Sequence, residues 1–143
     1  MARTAWIIGG GSGIGRALAQ RLAAREGFTV AISGRRAEKL AETAGDNPAI
    51  RPYPLDITDA SATETCLAQI LADLGGIDLL VYGAVAPVRM PVGEYSLADF
   101  HKAFEANYFG FVHLAGSLVE PMTARGGGQI AVIGSLAGYY GLP

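Results

Sequence analysis

A chain of 143 residues suffices for one folding unit able to bury roughly 68–70% of its unfolded surface, so a real core is expected. With 50% hydrophobic and 17% charged residues and a mean hydropathy of +0.29, the composition excludes a disordered chain and suits a sheet covered on both faces. A net charge of -2 with both signs interspersed excludes a basic nucleic-acid or lipid surface; the single cysteine, Cys66, excludes an internal disulfide, and no Cys/His spacing suggests a metal.

The opening "MARTAWIIGGG" reaches its glycines after too few apolar residues for a signal-peptide core, and no run approaches the ~18 of a membrane span. A soluble cytoplasmic protein with a small-molecule partner is therefore expected. Apolar runs of strand length follow at Ala5–Ile8, Phe28–Ile32, Ile50–Leu55, Ile77–Tyr82 and Ile130–Ile133, alternating with helical periods. Such alternation predicts βαβ units on a parallel sheet.

Directly after the first run, Gly9, Gly13 and Gly15 are spaced G-x-x-x-G-x-G before a helix carrying Ile14, Leu18 and Leu22. Strand, glycine turn and helix in this order suit a dinucleotide pyrophosphate, which needs close backbone approach and the free N–H groups of a helix start. Ser12 adds a hydroxyl donor. The stricter G-x-G-x-x-G spacing matches at no register here, and a merely tight turn is the plain alternative.

About twenty residues beyond the last glycine, a dinucleotide site carries an acid for the NAD ribose or an arginine for a 2′-phosphate. Arg35 and Arg36 stand there. A guanidinium can take two phosphate oxygens where a carboxylate would repel them, so NADP(H) is expected over NAD(H). As plain solvated charges the two arginines would oppose the dipole of the helix they open. Asp56 ends the third strand, and Asp56 or Thr58 could simply cap the next helix.

That helix comes after Asp59, with Leu67, Ile70, Leu71 and Leu74 on one face and Gly75 placed to cap its end. A long helix opens at Ser96, paired with Asp99 in a capping box, and is expected to stop at Pro121. Its apolar stripe is Phe100, Phe104, Phe111, Leu114 and Leu118, with Asn107 in a gap of that stripe, where a polar amide must find partners. His101 and His113 lack metal-pair spacing and read as ordinary helical residues; Cys66 reads as packing. Gly126–Gly128 loop into the last strand, and Ser135 lies just beyond it.

Together "IGGGSGIG", "AISGRRAEKL", "LDITD", "FEANYFG" and "GGQIAVIGSLAG" resemble, in the family's own order, segments of the short-chain dehydrogenase/reductase family, over essentially the whole chain. The resemblance implies a Rossmann-type doubly wound parallel sheet of about five strands, order 3-2-1-4-5, lacking the family's C-terminal strands. Residues 1–143 would then form one truncated NAD(P)-binding domain, either a portion of a longer enzyme or a short form that hides the edge of its last strand in a homo-oligomer. It also implies that Asp56 and the Ile57 amide read the adenine edge and that Ala84 lies by the cofactor. Asn107 would hold a relay water, and the Ser135 hydroxyl would bond the substrate carbonyl.

Two departures stand out. The family's catalytic tyrosine and lysine, a YxxxK motif about a dozen residues past the serine, are absent, and Tyr139 and Tyr140 lie too close to Ser135 for that role. Where the family reads NNAG, this chain reads Tyr82-Gly83-Ala84-Val85, and Val85 would crowd the nicotinamide half of the cofactor. The expectation is an NADP(H)-dependent short-chain oxidoreductase of carbonyls or alcohols, represented by its cofactor half and nearly inactive alone. The alternatives are a non-catalytic NADP(H) module or sensor, and an interaction fragment using the open edge of its last strand.

Overall fold

The computed structural model describes residues 3–87 and 93–140. In chain order these give β1 (Thr4–Ile8), α1 (Gly13–Arg25), β2 (Thr29–Gly34), α2 (Ala37–Ala44), β3 (Ile50–Pro54), α3 (Ala60–Leu74) and β4 (Leu79–Tyr82). Then come α4 (Leu97–Phe104), a π turn (Glu105–Phe109), α5 (Gly110–Ala124), β5 (Gln129–Val132) and a 3₁₀ turn (Leu136–Gly138). The strands form one parallel sheet in the order β3-β2-β1-β4-β5, as expected.

The short, almost wholly apolar strands explain the arrangement, because a parallel sheet must be covered on both faces. Alternate residues of β1 part accordingly. Trp6 and Ile8 join Leu80 and Tyr82 in the core under α3 and α5, with Ile70, Leu114 and Leu118. Ala5 and Ile7 join Val30, Ile32 and Val81 in the core under α1 and α2, with Ala19 and Leu40. The indole N–H of fully buried Trp6 donates to Ser33 Oγ at 2.8 Å, which satisfies both polar atoms. Cys66 is buried 4.0 Å from the same hydroxyl, and burial pushes its thiol pKa up, in keeping with a packing role.

Helix ends follow their local chemistry. Asp59 caps α3 by accepting the Ala62 N–H at 2.9 Å, and Gly75 closes it in the left-handed region at φ 76°. Ser96 accepts the Asp99 N–H at 3.2 Å, so α4 starts where expected. The end of the long helix does not match: it passes Pro121 and runs to Ala124. Only one turn lies beyond the proline, and that turn carries Met122 into the core, so packing outweighs one missing backbone bond.

Candidate functional site

Parallel strands place all their carboxyl ends on one side, and every strand-end residue singled out above lies just beyond such an end. Across the sheet these are Asp56 and Ile57 after β3, Arg35 and Arg36 after β2, and Gly9 to Gly15 after β1. Ala84 comes after β4 and Ser135 after β5. Open α/β sheets bind ligands at this edge, where the order 2-1-4 reverses the winding beside β1.

The glycine turn is fastened to its neighbour by two bonds, the N–H groups of Gly9 and Gly10 donating to Ser33 O at 2.8 and 3.1 Å. Gly15 is buried in the first turn of α1, where a Cβ would stand 2.3 Å from Gly9 O, so no side chain fits. Ser12 is the N-cap of α1 in extended conformation, and its side chain makes no capping bond. The first N–H groups of α1, which have no intrahelical partner, therefore keep their donors for a ligand. Apart from its chain neighbours and the backbone of its own helix, nothing lies within 4 Å of where a Cβ on Gly13 would stand. A pyrophosphate fits this donor set and this open space. Ile14 points outward, 67% exposed.

Arg35 and Arg36 are exposed, and Arg36 is the N-cap of α2, without a side-chain capping bond. Next to them lies a charge cluster that no sequence motif announces. Lys39 Nζ lies 2.8 Å from Glu42, and Arg16 approaches the same carboxylate at 3.8 Å. The hydrogen bond from Lys39 and the neighbouring cations hold the half-exposed Glu42 carboxyl below its usual pKa. Only the packing of α2 beside α1 assembles this group, which is why dinucleotide-site spacing does not point to it.

Asp56 Oδ1 accepts both the backbone N–H of Thr58 (3.1 Å) and its hydroxyl (2.8 Å) in a turn, while Asp59 caps the helix. The local capping alternative thus falls to the neighbouring aspartate. Ile57 is buried in the core.

Asn107 is exposed within the π turn. Its side chain still finds the partners a polar amide requires: Oδ1 accepts the Ala86 N–H at 2.7 Å, and Nδ2 donates to Ala86 O at 3.3 Å. The stripe around it splits. Leu114 and Leu118 are fully buried, whereas Phe100 and Phe104 are 40% and 51% exposed and line an apolar cavity of about 370 Å³ with Tyr95, Leu97, His101 and Phe109. The Ser117 hydroxyl donates to Glu64 Oε1 at 2.7 Å, tying α5 to α3, while buried His113 Nε2 stands 3.0 Å from the same oxygen without a hydrogen bond.

Ser135 is exposed, and its Oγ accepts the Ala137 N–H at 3.1 Å, which leaves the hydroxyl proton free to donate. Val85 is 65% exposed in the loop after β4. Among the described residues no group of three or more His, Cys, Asp and Glu could hold a metal, and no helix is long and apolar enough to cross a membrane.

A family model described as short chain dehydrogenase matches residues 3–143. The chain is 35% identical to a sorbitol dehydrogenase of Cereibacter sphaeroides, covering 97% of this chain and 55% of the relative. It is 31% identical to the 2-dehydro-3-deoxy-L-rhamnonate dehydrogenase (NAD(+)) of a Sphingomonas strain, covering 99% and 57%. A solved structure of an actinorhodin polyketide ketoreductase with NADPH superimposes with a TM-score of 0.91 at 26% identity, covering 99% of this chain and 56% of that one. The chain thus spans about half the length of the proteins it matches.

Proposed function

The chain belongs to the short chain dehydrogenase family, and on that premise we propose that it is the cofactor-binding part of an NADP(H)-dependent oxidoreductase acting on a carbonyl or alcohol. One observation carries the cofactor choice: Arg35 and Arg36 leave β2 beside the glycine turn, at the position where a carboxylate would favour NAD. The Gly9–Gly15 turn and the start of α1 would hold the pyrophosphate, with Ser12 donating. Arg35 and Arg36 would take the 2′-phosphate, Asp56 and the Ile57 amide the adenine edge, and Ala84 would border the nicotinamide side.

When bound, the nicotinamide supplies or accepts the hydride. The free Ser135 hydroxyl would donate to the substrate oxygen, stabilising charge there. After its two bonds to Ala86, the Asn107 amide keeps one N–H and a lone pair for a water. The YxxxK pair that moves the proton in the family is not among the 143 residues, and general acid–base help is worth roughly 10²–10⁴-fold. This polypeptide by itself is therefore expected to bind far better than it turns over. Exposed Val85, where the family has glycine, favours a non-catalytic NADP(H) module as the second reading.

Both readings share one test. Calorimetric titration of the chain should give tighter binding of NADPH than NADH by roughly 10–100-fold, the worth of charge-assisted bonds of about 1.5–3 kcal/mol. Arg35→Ala should erase most of that preference and leave NADH binding unchanged. Equal affinities in the parent chain, or an Arg35→Ala variant that keeps the preference, would refute the assignment. Reduction of a simple carbonyl in the same samples should be barely measurable.

A further inference from the structure

We infer that Tyr82 is a positioning residue: its phenol holds the long helix in its π register and thereby sets the Asn107 amide against the loop that leaves β4. Four observations meet here. A π turn replaces regular helix at Glu105–Phe109, so that the Gly110 N–H donates to Glu105 O and not to Ala106 O, its partner in an α-helix. The carbonyl so released is taken by the buried Tyr82 hydroxyl, which donates to Ala106 O. A Cβ on Gly110 would stand 2.9 Å from that hydroxyl and 2.9 Å from Ile57 O, so only glycine lets the helix settle onto the phenol. One residue beyond Ala106, Asn107 makes its paired bonds to Ala86, four residues after Tyr82.

The two contacts close a ring. From Tyr82 the chain runs out to Ala86, crosses to Asn107 through the amide, steps back to Ala106, and returns through the phenol. Removing the hydroxyl leaves Ala106 O buried without its donor, and the cheapest repair is for Gly110 N–H to bond it, restoring α-helix. That change of register swings residues on the two sides of the turn by about 100° relative to one another, which takes Asn107 off Ala86. A shorter polar side chain at position 82 could not span the gap in the same way, since the hydroxyl sits at the far end of a ring that is itself packed edge-on against Phe111, 5.4 Å away. That the amide so placed holds a relay water rests on the role proposed for Asn107; the placement does not.

The test needs no cofactor and no turnover. On ¹⁵N-labelled full chain, Tyr82→Phe should shift the Asn107 side-chain amide resonances and raise hydrogen exchange at Ala86 N–H at least ~10-fold, the equivalent of one lost bond of about 1.4 kcal/mol. Amides in β1 and β2 should keep their protection. A general loosening that exposes all strands alike, or unchanged Asn107 and Ala86 signals, would overturn the inference. Should Tyr82→Phe prove too unstable, Gly110→Ala, which keeps the phenol but lifts the helix away from it, is read the same way: loss at Ala86 supports the tie, and its persistence refutes it. The NADPH titration on the parent chain is scored separately, so either proposal can fail alone.

Discussion

At the residue scale, the glycine turn shows why spacing is such an informative signal. Gly15 is needed because the carbonyl of Gly9 passes over it, so a requirement of the folded backbone is written directly into residue type. Gly15→Ala places a methyl 2.3 Å from Gly9 O, a contact that must push the turn off the helix. The expected cost is about 1–3 kcal/mol of stability, together with loss of nucleotide binding, since the displaced N–H groups no longer converge. A urea titration and an NADPH titration check the two parts; a variant of parental stability with intact binding would contradict the geometry. By contrast, Ala86 carries no sequence mark as the partner of Asn107. Its contribution is a backbone N–H and C=O, which any residue but proline supplies, so nothing in its identity could reveal it.

At the element scale, hydrophobic period locates each helix but not its departures from regularity. By period alone the long helix is one stripe ending at Pro121. The π turn shifts the phase of that stripe by one residue, which leaves Phe100 and Phe104 on the surface while Leu114 and Leu118 stay in the core. The tie between β4 and this turn has a titratable member. Burial pushes the Tyr82 phenol up to about 12, against about 10 in an unfolded chain. The folded protein holds that proton more tightly, so the associated stability is complete below about pH 10 and disappears as pH climbs towards about 12. Tyr53 shares the window, raised to about 12 by burial first and then by its hydrogen bond to Asp73. Denaturation midpoints followed from about pH 9 to about pH 12 should fall in the parent chain and fall less in a Tyr53→Phe, Tyr82→Phe double variant. Parallel curves for the two would show that neither phenol is held as described.

At the scale of the whole molecule, strand order is legible because the run of motifs matches a known family, whereas periodicity alone yields parallel strands without their order. The two edges of the sheet differ in a way that sequence order only then makes meaningful. On β3, Leu55 donates its N–H inward to Gly34 O, so by alternation Pro52 and Pro54 turn their nitrogens outward, where proline has no N–H to offer. That edge is closed to further pairing. On β5, Gln129 and Ile133 donate inward to Asp78 O and Tyr82 O, so Ile130 and Val132 present outward N–H and C=O groups on a strand whose four residues are all exposed. An apolar edge of this kind recruits another strand. The isolated 143-residue polypeptide is therefore expected to self-associate, scattering light as more than its 14.8 kDa. Copying the device of the opposite edge, Ile130→Pro with Val132→Pro removes both outward donors without touching the bonds to β4. That variant should move towards a 14.8 kDa species while NADPH affinity holds, because the glycine turn lies two strands away. A parent chain that already runs as a monomer at high concentration would mean that the outward groups of β5 are satisfied by water and recruit nothing.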